Sequence, residues 1–381
     1  MHILIAPNAF KNSLDAAQVA RAIEQGLKLS KLDCTTERFA IADGGDGTGS
    51  LIIENRNGTI IQKEVHDPLG RKINASFGLI DNGKTAVIEM ADASGLRLLS
   101  KDELNPLKAS SYGTGELIKY ALDAGANKII IAMGGSATVD GGCGILSALG
   151  IVFLDAKGDR LIATPEFLIN MAEVDTSELD PRISNSEIAI LCDVNNQLLG
   201  PDGAASIFGP QKGASTDDVE ALEIFLEKFA EVSKKQTGIN VADVKHGGAA
   251  GGATAGLHAW LNAKLVNGIE YFLSLTNFDE TLKRSDLVIT GEGSIDKQTL
   301  QGKGPYGVAL RAKNSKVSVI ALAGKIPLEP DAELQKYFDV LLSINNEPGD
   351  LAEAIGNTEK NLMRTASIIG NILATGVKKS E

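Results

Sequence analysis

The chain has 381 residues, of which 43% are hydrophobic, and its 49 acidic and 37 basic residues give a net charge of −12. This length suits two domains of ~100–200 residues each, and the composition excludes a disordered or collagen-like chain. The negative charge argues against nucleic acid as the main partner, because phosphate backbones require a basic surface.

The cysteines and the apolar segments indicate the cellular compartment of the protein. Three widely spaced cysteines form no C-x-x-C motif, which is typical of reduced thiols and not of a disulfide framework or a zinc site. No stretch approaches the ~18 consecutive apolar residues that a membrane span requires. We therefore expect a cytoplasmic protein that does not contact membranes.

Apolar runs alternate with amphipathic stretches from the start of the chain, which is typical of alternating strands and helices. The first elements predicted are a strand at 3–5, a helix at 15–29 and a strand at 38–42. Residues 59–90 break this pattern, because apolar and polar residues alternate there in three runs, 60–65, 72–77 and 86–90. Turn sequences separate these runs, so they predict an antiparallel meander.

After the meander the alternation of strands and helices resumes. The strands are predicted at 128–133, 187–192, 286–290, 317–322 and 338–344, and the helices at 144–149, 216–235 and 350–372. Nearly continuous apolar strands indicate parallel sheets that are covered on both faces. We interpret the meander as the entrance to a second domain, which predicts one α/β domain from 1–65 plus 285–381 and another from 66–284.

Acidic residues or lysine, in most cases mixed with glycines, follow most of the predicted strands. These segments are 43–49, 134–142, 193–196, 291–296 and 323–325, together with Lys11 after the first strand. Ligands of open α/β sheets bind beyond the carboxyl ends of the strands. Glycine lets the backbone approach an anion, and carboxylates suit Mg²⁺ bound together with phosphates. The segments therefore predict a nucleotide-phosphate and Mg²⁺ site.

Each of these features also has a purely structural interpretation. A Gly-Gly after a strand is more often a tight turn, and an aspartate at a strand end often caps a helix. Acidic residues, lysine and glycines recur at so many strand ends that the functional interpretation is favoured. The one G-x-G-x-x-G, at 302–307, contains Pro305 and does not directly follow a strand. We therefore do not interpret it as a dinucleotide site.

Long ordered motifs identify a family. From the first strand to the last the chain resembles the bacterial type I glycerate kinases, the glycerate 2-kinase family. The motifs that carry the resemblance are I-A-P-N-A-F-K ending at Lys11, A-D-G-G-D-G-T from Ala42, K-T-A-V-I-E-M from Lys84, S-Y-G-T-G-E-L from Ser111, G-G-S-A-T-V-D-G-G from Gly134, C-D-V-N-N from Cys192, F-G-P-Q-K-G-A from Phe208 and V-I-T-G-E-G-S-I-D from Val288.

A few positions depart from the family pattern. Asn8 and Ala9 stand where the family usually has Asp-Ser, Asp46 stands where it has Glu, and Val139 where it has Asn. Asn8 therefore removes one candidate carboxylate, and we do not assign a catalytic base there. Ser294 replaces an arginine, which weakens the expectation of a phosphate clamp at that position.

The resemblance implies ATP-dependent phosphorylation of D-glycerate to phosphoglycerate, with 2-phosphoglycerate favoured and with Mg²⁺ as cofactor. It also implies two α/β domains, of which one is flavodoxin-like, Rossmann-like in general plan and discontinuous in sequence. The other is an inserted domain with a mixed sheet, and the active site is expected in the cleft between them. Domain closure would exclude water from the reaction.

Phosphoryl transfer to an alcohol requires charge neutralisation, in-line positioning and an acceptor for the hydroxyl proton. Asp193 is predicted as the base or a Mg²⁺ ligand, with Asp43 and Asp46 as further candidates and Asp296 as another metal ligand. Lys11 would neutralise phosphate or hold the glycerate carboxylate. The predicted substrate- and phosphate-binding residues are Gly44, Gly45, Ser94, Gly134, Gly135, Ser136, Lys212, Gly291, Glu292 and Lys303.

Two other functions fit the same pattern of residues. One is a nicotinamide-linked oxidoreductase acting on a small hydroxy acid, because doubly wound sheets with glycine-rich strand ends also bind NAD. The other is a non-catalytic sensor of phosphorylated metabolites. The oxidoreductase predicts a change in nicotinamide absorbance, the sensor predicts ligand binding without turnover, and the kinase predicts Mg²⁺-dependent release of ADP.

Overall fold

The structure, a computed structural model, describes residues 1–192, 195–347 and 349–377. The strands are β1 (His2–Ile5), β2 (Thr35–Arg38), β3 (Thr59–His66), β4 (Lys72–Ile80), β5 (Thr85–Glu89), β6 (Lys128–Ala132), β7 (Val152–Leu154), β8 (Glu173–Asp175), β9 (Glu187–Cys192), β10 (Lys264–Asn267), β11 (Leu287–Ser294), β12 (Ser318–Lys325) and β13 (Val340–Ser343). This alternation with helices confirms the predicted α/β class.

The helices are α1 (Ala16–Lys28), α2 (Thr48–Asn55), α3 (Met90–Ser94), α4 (Tyr112–Asp123), α5 (Cys143–Ala148), α6 (Pro165–Leu168), α7 (Ala204–Phe208), α8 (Thr216–Thr237), α9 (Ala253–Leu261), α10 (Gly268–Leu275), α11 (Phe278–Lys283), α12 (Gly304–Asn314), α13 (Ala332–Gln335), α14 (Leu351–Gly356) and α15 (Thr358–Val377). Among the described residues, none of these helices is long and apolar enough to span a membrane.

The chain divides into two compact units. The first combines both ends of the chain, Met1–Asp43 and Ile269–Glu381, and the second is Gly44–Gly268. In the described part of the first unit, five parallel strands form a sheet in the order β13-β12-β11-β1-β2. This is the strand order of flavodoxin-like sheets, and its switch point lies between β1 and β11.

The second unit contains a mixed sheet. Its order in the described residues is β10-β9-β6-β5-β4-β3, in which β5, β6, β9 and β10 run parallel. Strands β3, β4 and β5 pair antiparallel in sequence order, which confirms the predicted meander. Strands β7 and β8 form a separate antiparallel pair that the sequence pattern did not indicate.

Each unit has its own hydrophobic core. In the first unit α1 buries Val19, Ile23 and Leu27 at helical spacing against the sheet, and Asp15 caps its first turn. In the second unit α8 buries Phe225 and Phe229 against the core around β6 and β9. The cores hold the carboxyl ends of the parallel strands in fixed positions, and the candidate site residues lie there.

Two element predictions were wrong in detail. The strand predicted at 38–42 is β2 at Thr35–Arg38. This polar segment forms a strand because it pairs with β1 at the edge of the sheet, where polar residues are tolerated. The helix predicted at 350–372 is two helices, α14 and α15, separated at Asn357. The predicted domain bounds 1–65 plus 285–381 and 66–284 stay a prediction. The compact units have other limits, since β3 already pairs with β4.

Candidate active site

The switch point of the first unit is lined by the segments that follow β1 and form the end of β11. The amide of Asn8 donates to the carbonyl oxygen of Gly291 at 2.8 Å, so the two segments run side by side. Gly291 has no room for a side chain, since an added Cβ would overlap the carbonyl oxygen of Leu322 on β12. Its role as a binding residue stays a prediction, because this packing alone explains the glycine.

Asp43 is held in place by two hydrogen bonds from other parts of the first unit. Its Oδ2 accepts from Asn8 Nδ2 at 2.9 Å and from the amide of Gly304 at 3.1 Å. Gly304 is the first residue of α12, where free amides and the helix dipole favour a negative charge. The side chain is nearly buried, so its carboxylate is fixed in orientation by the fold.

Glu292, on β11, is a buried carboxylate at the same switch point. It is 8% exposed, and its Oε1 accepts from Thr299 Oγ1 at 3.0 Å. Burial raises the pKa of Glu292 from its ordinary value of 4.5 to about 7, Lys303 opposes the rise and Asp43 adds to it. A carboxyl group that titrates near neutral pH is the type of group that proton transfer requires.

Two lysines act on this carboxylate from a distance. Lys303 precedes α12 and Lys11 follows β1, and both lower the pKa of Glu292 through their charge. Neither ammonium forms an ion pair within the described ranges. The structure thus brings together Asp43, Glu292, Lys11 and Lys303 as one cluster, the switch-point cluster. Asp296 connects to it through Thr299, whose Oγ1 accepts from the Asp296 amide at 3.2 Å.

In the second unit, the loop from Gly44 to Asp46 packs against the loop that follows β6. The amide of Gly134 donates to the carbonyl oxygen of Gly44 at 3.2 Å. A Cβ on Gly134 would overlap the backbone nitrogen of Asp46. Gly44 and Gly135 have φ of +107° and +71°, in the region that favours glycine. These glycines are thus required by local packing and backbone geometry, whatever they bind.

Glu89, at the end of β5, anchors the first of these loops. It accepts from the amide of Gly47 at 2.8 Å and from the amide and hydroxyl of Ser50 at 2.8 and 3.0 Å. Burial raises the pKa of Glu89, although these donors oppose the rise. Sequence reasoning missed this residue, and its only signal was its place after an apolar strand in the K-T-A-V-I-E-M motif.

The loop after β6, Gly134–Thr138, is held by side chains that lie inside the protein. Lys212, which is 2% exposed, donates from Nζ to Ser136 Oγ at 2.8 Å and to the Thr138 carbonyl oxygen at 2.7 Å. Ser94 is fully buried, and its hydroxyl lies 2.7 Å from that of Thr114. Its carbonyl oxygen accepts from the Ala137 amide at 2.9 Å. In this conformation the Lys212 side chain and the Ser94 backbone carbonyl hold the loop in place.

The predicted metal ligands do not form a cluster in what the structure describes. Asp46 is exposed and accepts from Arg97 at 3.1 Å, and Arg97 also pairs with Asp92. No group of three or more histidine, cysteine, aspartate or glutamate side chains in the described ranges is arranged to hold a metal ion. Asp193, the first candidate for base and metal ligand, lies outside the described residues. A Mg²⁺ bound mainly by phosphates and water would need only one or two carboxylates.

The structure therefore assembles the predicted residues into two groups, one in each unit. Thr299, Glu89, Asn8 and Arg97 join them as residues that the sequence did not assign to the site. Thr299 had a weak signal, since it follows Glu292 by seven positions in a polar turn. Asn8 and Glu89 lie within the motifs that carry the resemblance, whereas Arg97 became visible only through its hydrogen bonds in the folded chain.

Comparison with known proteins gives consistent results over the full length. A model of the glycerate kinase family matches residues 3–374. A glycerate kinase of Haemophilus influenzae is 43% identical over 374 residues, covering 98% of this chain and 99% of that protein. The glycerate 2-kinase of Escherichia coli is 43% identical over 380 residues and all of both chains.

A solved structure shows the same fold. The crystal structure of a Salmonella typhimurium protein assigned as glycerate kinase 2 is 42% identical in sequence to this chain. The two structures superpose with a TM-score of 0.82, and the match covers 99% of each chain. The overall arrangement of strands and helices is therefore shared.

Proposed function

Because the chain belongs to the glycerate kinase family, we propose that it transfers the γ-phosphoryl group of ATP to the 2-hydroxyl of D-glycerate. The products would be 2-phosphoglycerate and ADP, and the reaction would require Mg²⁺. The observation that supports the 2-hydroxyl is the 43% identity to the E. coli glycerate 2-kinase over both whole chains. Family membership favours this kinase over the oxidoreductase and the sensor, and no feature of the described residues specifically favours either alternative.

Charge neutralisation is the first requirement of this reaction. Both substrates are anions, and the switch-point cluster offers two ammonium groups without ion-pair partners in the described residues, those of Lys11 and Lys303. We assign them to the phosphates of ATP or the carboxylate of glycerate.

Positioning of the phosphates is assigned to the second unit. The loops 44–46 and 134–136 would offer backbone amides and the Ser136 hydroxyl to anionic oxygens. Their mutual packing and the anchor at Glu89 hold them rigid before the substrate arrives. Preorganised donors of this kind stabilise the charge of the transition state without reorganisation. That the two units contribute to one cleft stays a prediction.

The proton of the glycerate hydroxyl needs an acceptor. Asp193 remains our candidate for base or metal ligand, because its position directly after β9 is the strand-end position expected for such a group. Asp43 is the second candidate, although both of its hydrogen bonds engage Oδ2 and fix the carboxylate.

Carboxylate oxygens are suitable ligands for Mg²⁺, and the candidates are Asp46, Asp193 and Asp296. A metal ion held by these carboxylates would supply positive charge against the phosphates. Asp46 would have to give up its pairing with Arg97 to take part. The expected cytoplasmic location also stays a prediction.

The proposal is tested by ADP release with a panel of three-carbon hydroxy acids, including D-glycerate, L-glycerate and lactate, with and without Mg²⁺. We expect release with D-glycerate only and loss of release after chelation. Asp193→Asn should abolish turnover while leaving the melting temperature nearly unchanged. Near-normal turnover of that variant would contradict its role, and a nicotinamide absorbance change without ADP would contradict the kinase.

A further inference from the structure

Lys212 is an unusual lysine because its charge is enclosed by protein. It ends the turn Pro210–Lys212, is 2% exposed and forms no ion pair with any described carboxylate. Two acceptors, Ser136 Oγ and the Thr138 carbonyl oxygen, lie 2.8 and 2.7 Å from Nζ. The Phe208 ring is 5.9 Å away on another side. Enclosing an ammonium group without a counter-ion is costly, so an apolar residue would serve better if only packing mattered.

The contact with Lys212 determines what Ser136 can offer. A serine hydroxyl has one hydrogen and two lone pairs, whereas an ammonium group can only donate. While Lys212 is protonated, its bond therefore occupies a lone pair of Ser136 Oγ, and the hydroxyl hydrogen must point elsewhere. No acceptor for this hydrogen exists among the residues that the structure describes. Ser136 is thus left as a donor without a partner.

The backbone around Ser136 is fixed as well. The Leu96 amide donates to the Gly135 carbonyl oxygen at 2.8 Å, and the Ala137 amide donates to the Ser94 carbonyl oxygen at 2.9 Å. The loop directly follows the parallel strand β6, where ligands of such sheets bind. The free donor therefore lies on a rigid loop at the end of the sheet where a substrate is expected.

We propose that Lys212 is a positioning residue that makes the Ser136 hydroxyl a hydrogen-bond donor to an anionic substrate oxygen. The sequence pattern alone suggested that Lys212 binds phosphate itself, but the side chain is 2% exposed and its Nζ donates to two protein acceptors. This inference rests on the proposed function, which supplies two anions, the ATP phosphates and the glycerate carboxylate. Burial lowers the pKa of Lys212 from 10.5 to about 7, with Asp140 opposing this effect, so Lys212 directs the Ser136 hydroxyl at the pH values where it keeps its proton.

A double-mutant cycle with Ser136→Ala and Lys212→Met tests the proposal. Ser136→Ala should raise the KM of one substrate by about tenfold with a smaller effect on kcat, as expected for one lost hydrogen bond to a charged group. The substrate whose KM rises identifies the anion. Lys212→Met should raise the same KM, and the double variant should be no worse than Ser136→Ala alone, because Lys212 acts through Ser136.

Ser233→Ala is the matched control, because Ser233 is a buried serine of the same unit that accepts from Trp260 Nε1 at 3.0 Å. It should lower the melting temperature without changing either KM. The proposal is overturned if Lys212→Met raises KM equally in the wild-type and Ser136→Ala backgrounds. It is also overturned if Ser136→Ala leaves both KM values unchanged.

A binding measurement separates this inference from the proposed function. ADP and D-glycerate are added separately to the full-length protein, and the rise in melting temperature is recorded. If the wild type releases no ADP with glycerate, the proposed function fails. The inference makes a separate prediction. With ADP or with D-glycerate, Ser136→Ala and Lys212→Met should reduce the rise in melting temperature to a similar extent. Unchanged shifts with both probes would refute it.

Discussion

Replacing Glu292 by glutamine should stabilise the protein at alkaline pH while impairing its reaction. The folded chain encloses this carboxylate at 8% exposure, and burial raises its pKa from 4.5 to about 7. Between these two values the folded state holds a proton that the unfolded state has lost. The free energy of unfolding therefore falls as the pH rises through this range.

The size of the effect follows from the pKa. A rise from 4.5 to about 7, at about 1.4 kcal/mol for each pH unit, corresponds to about 3 kcal/mol. Glutamine carries no charge, and its amide oxygen can still accept from Thr299. Glu292→Gln should thus be more stable than the wild type by up to about 3 kcal/mol at about pH 8 and nearly equal to it at about pH 4.

Urea denaturation of both proteins across this pH range measures the difference, and ADP release measures activity. The exposed Glu329→Gln in the same unit serves as control and should leave both pH profiles unchanged. Turnover of Glu292→Gln should fall, because a buried carboxyl group that lowers stability commonly has a role in function. Parallel stability profiles of wild type and Glu292→Gln would refute the reasoning.

Three further predictions concern the surrounding residues. Gly134→Ala should lower the free energy of unfolding by about 1–3 kcal/mol, because the added Cβ would overlap the neighbouring loop. The control Gly356→Ala has open space around it and should cost nothing. The melting temperatures of the two variants measure the difference. Asn8→Asp would place a second carboxylate against Asp43 and should destabilise at about pH 8 more than at about pH 4, by about 1–3 kcal/mol in urea denaturation. Above about pH 7 the folded protein loses the Lys212 proton, which the unfolded chain keeps up to about pH 10. The free energy of unfolding of the wild type should therefore rise relative to that of Lys212→Met by up to about 1.4 kcal/mol per pH unit in this range. Parallel urea denaturation profiles of the two proteins would contradict this.

Much of the fold was predictable because apolar periodicity reports burial directly. The meander runs at 60–65, 72–77 and 86–90 coincide with β3, β4 and β5, and the helix predicted at 216–235 is α8. Polar edge strands were harder to predict, since β2 is stabilised by pairing with β1 and not by its own apolar residues. Strand β11 likewise continues to Ser294 past its apolar run because it pairs with β12 as far as Lys325.

The candidate site was predictable as a set of strand ends but not as a set of contacts. Glycine and acid patterns placed Asp43 and Glu292 after predicted strands, but not beside each other at the switch point, because the alternation of elements does not determine strand order. The partners of these residues lie far away in sequence, as Gly304 does from Asp43. A pattern of residues also could not distinguish a lysine that binds phosphate from one that, like Lys212, lies buried behind a loop.

The position of the transferred phosphoryl group tests the central claim most directly. The purified protein is incubated with ATP, Mg²⁺ and D-glycerate, and the phosphoester formed is identified by phosphorus NMR. We predict 2-phosphoglycerate together with an equimolar amount of ADP. Formation of 3-phosphoglycerate would contradict transfer to the 2-hydroxyl, and the absence of any new phosphoester would contradict phosphoryl transfer to glycerate.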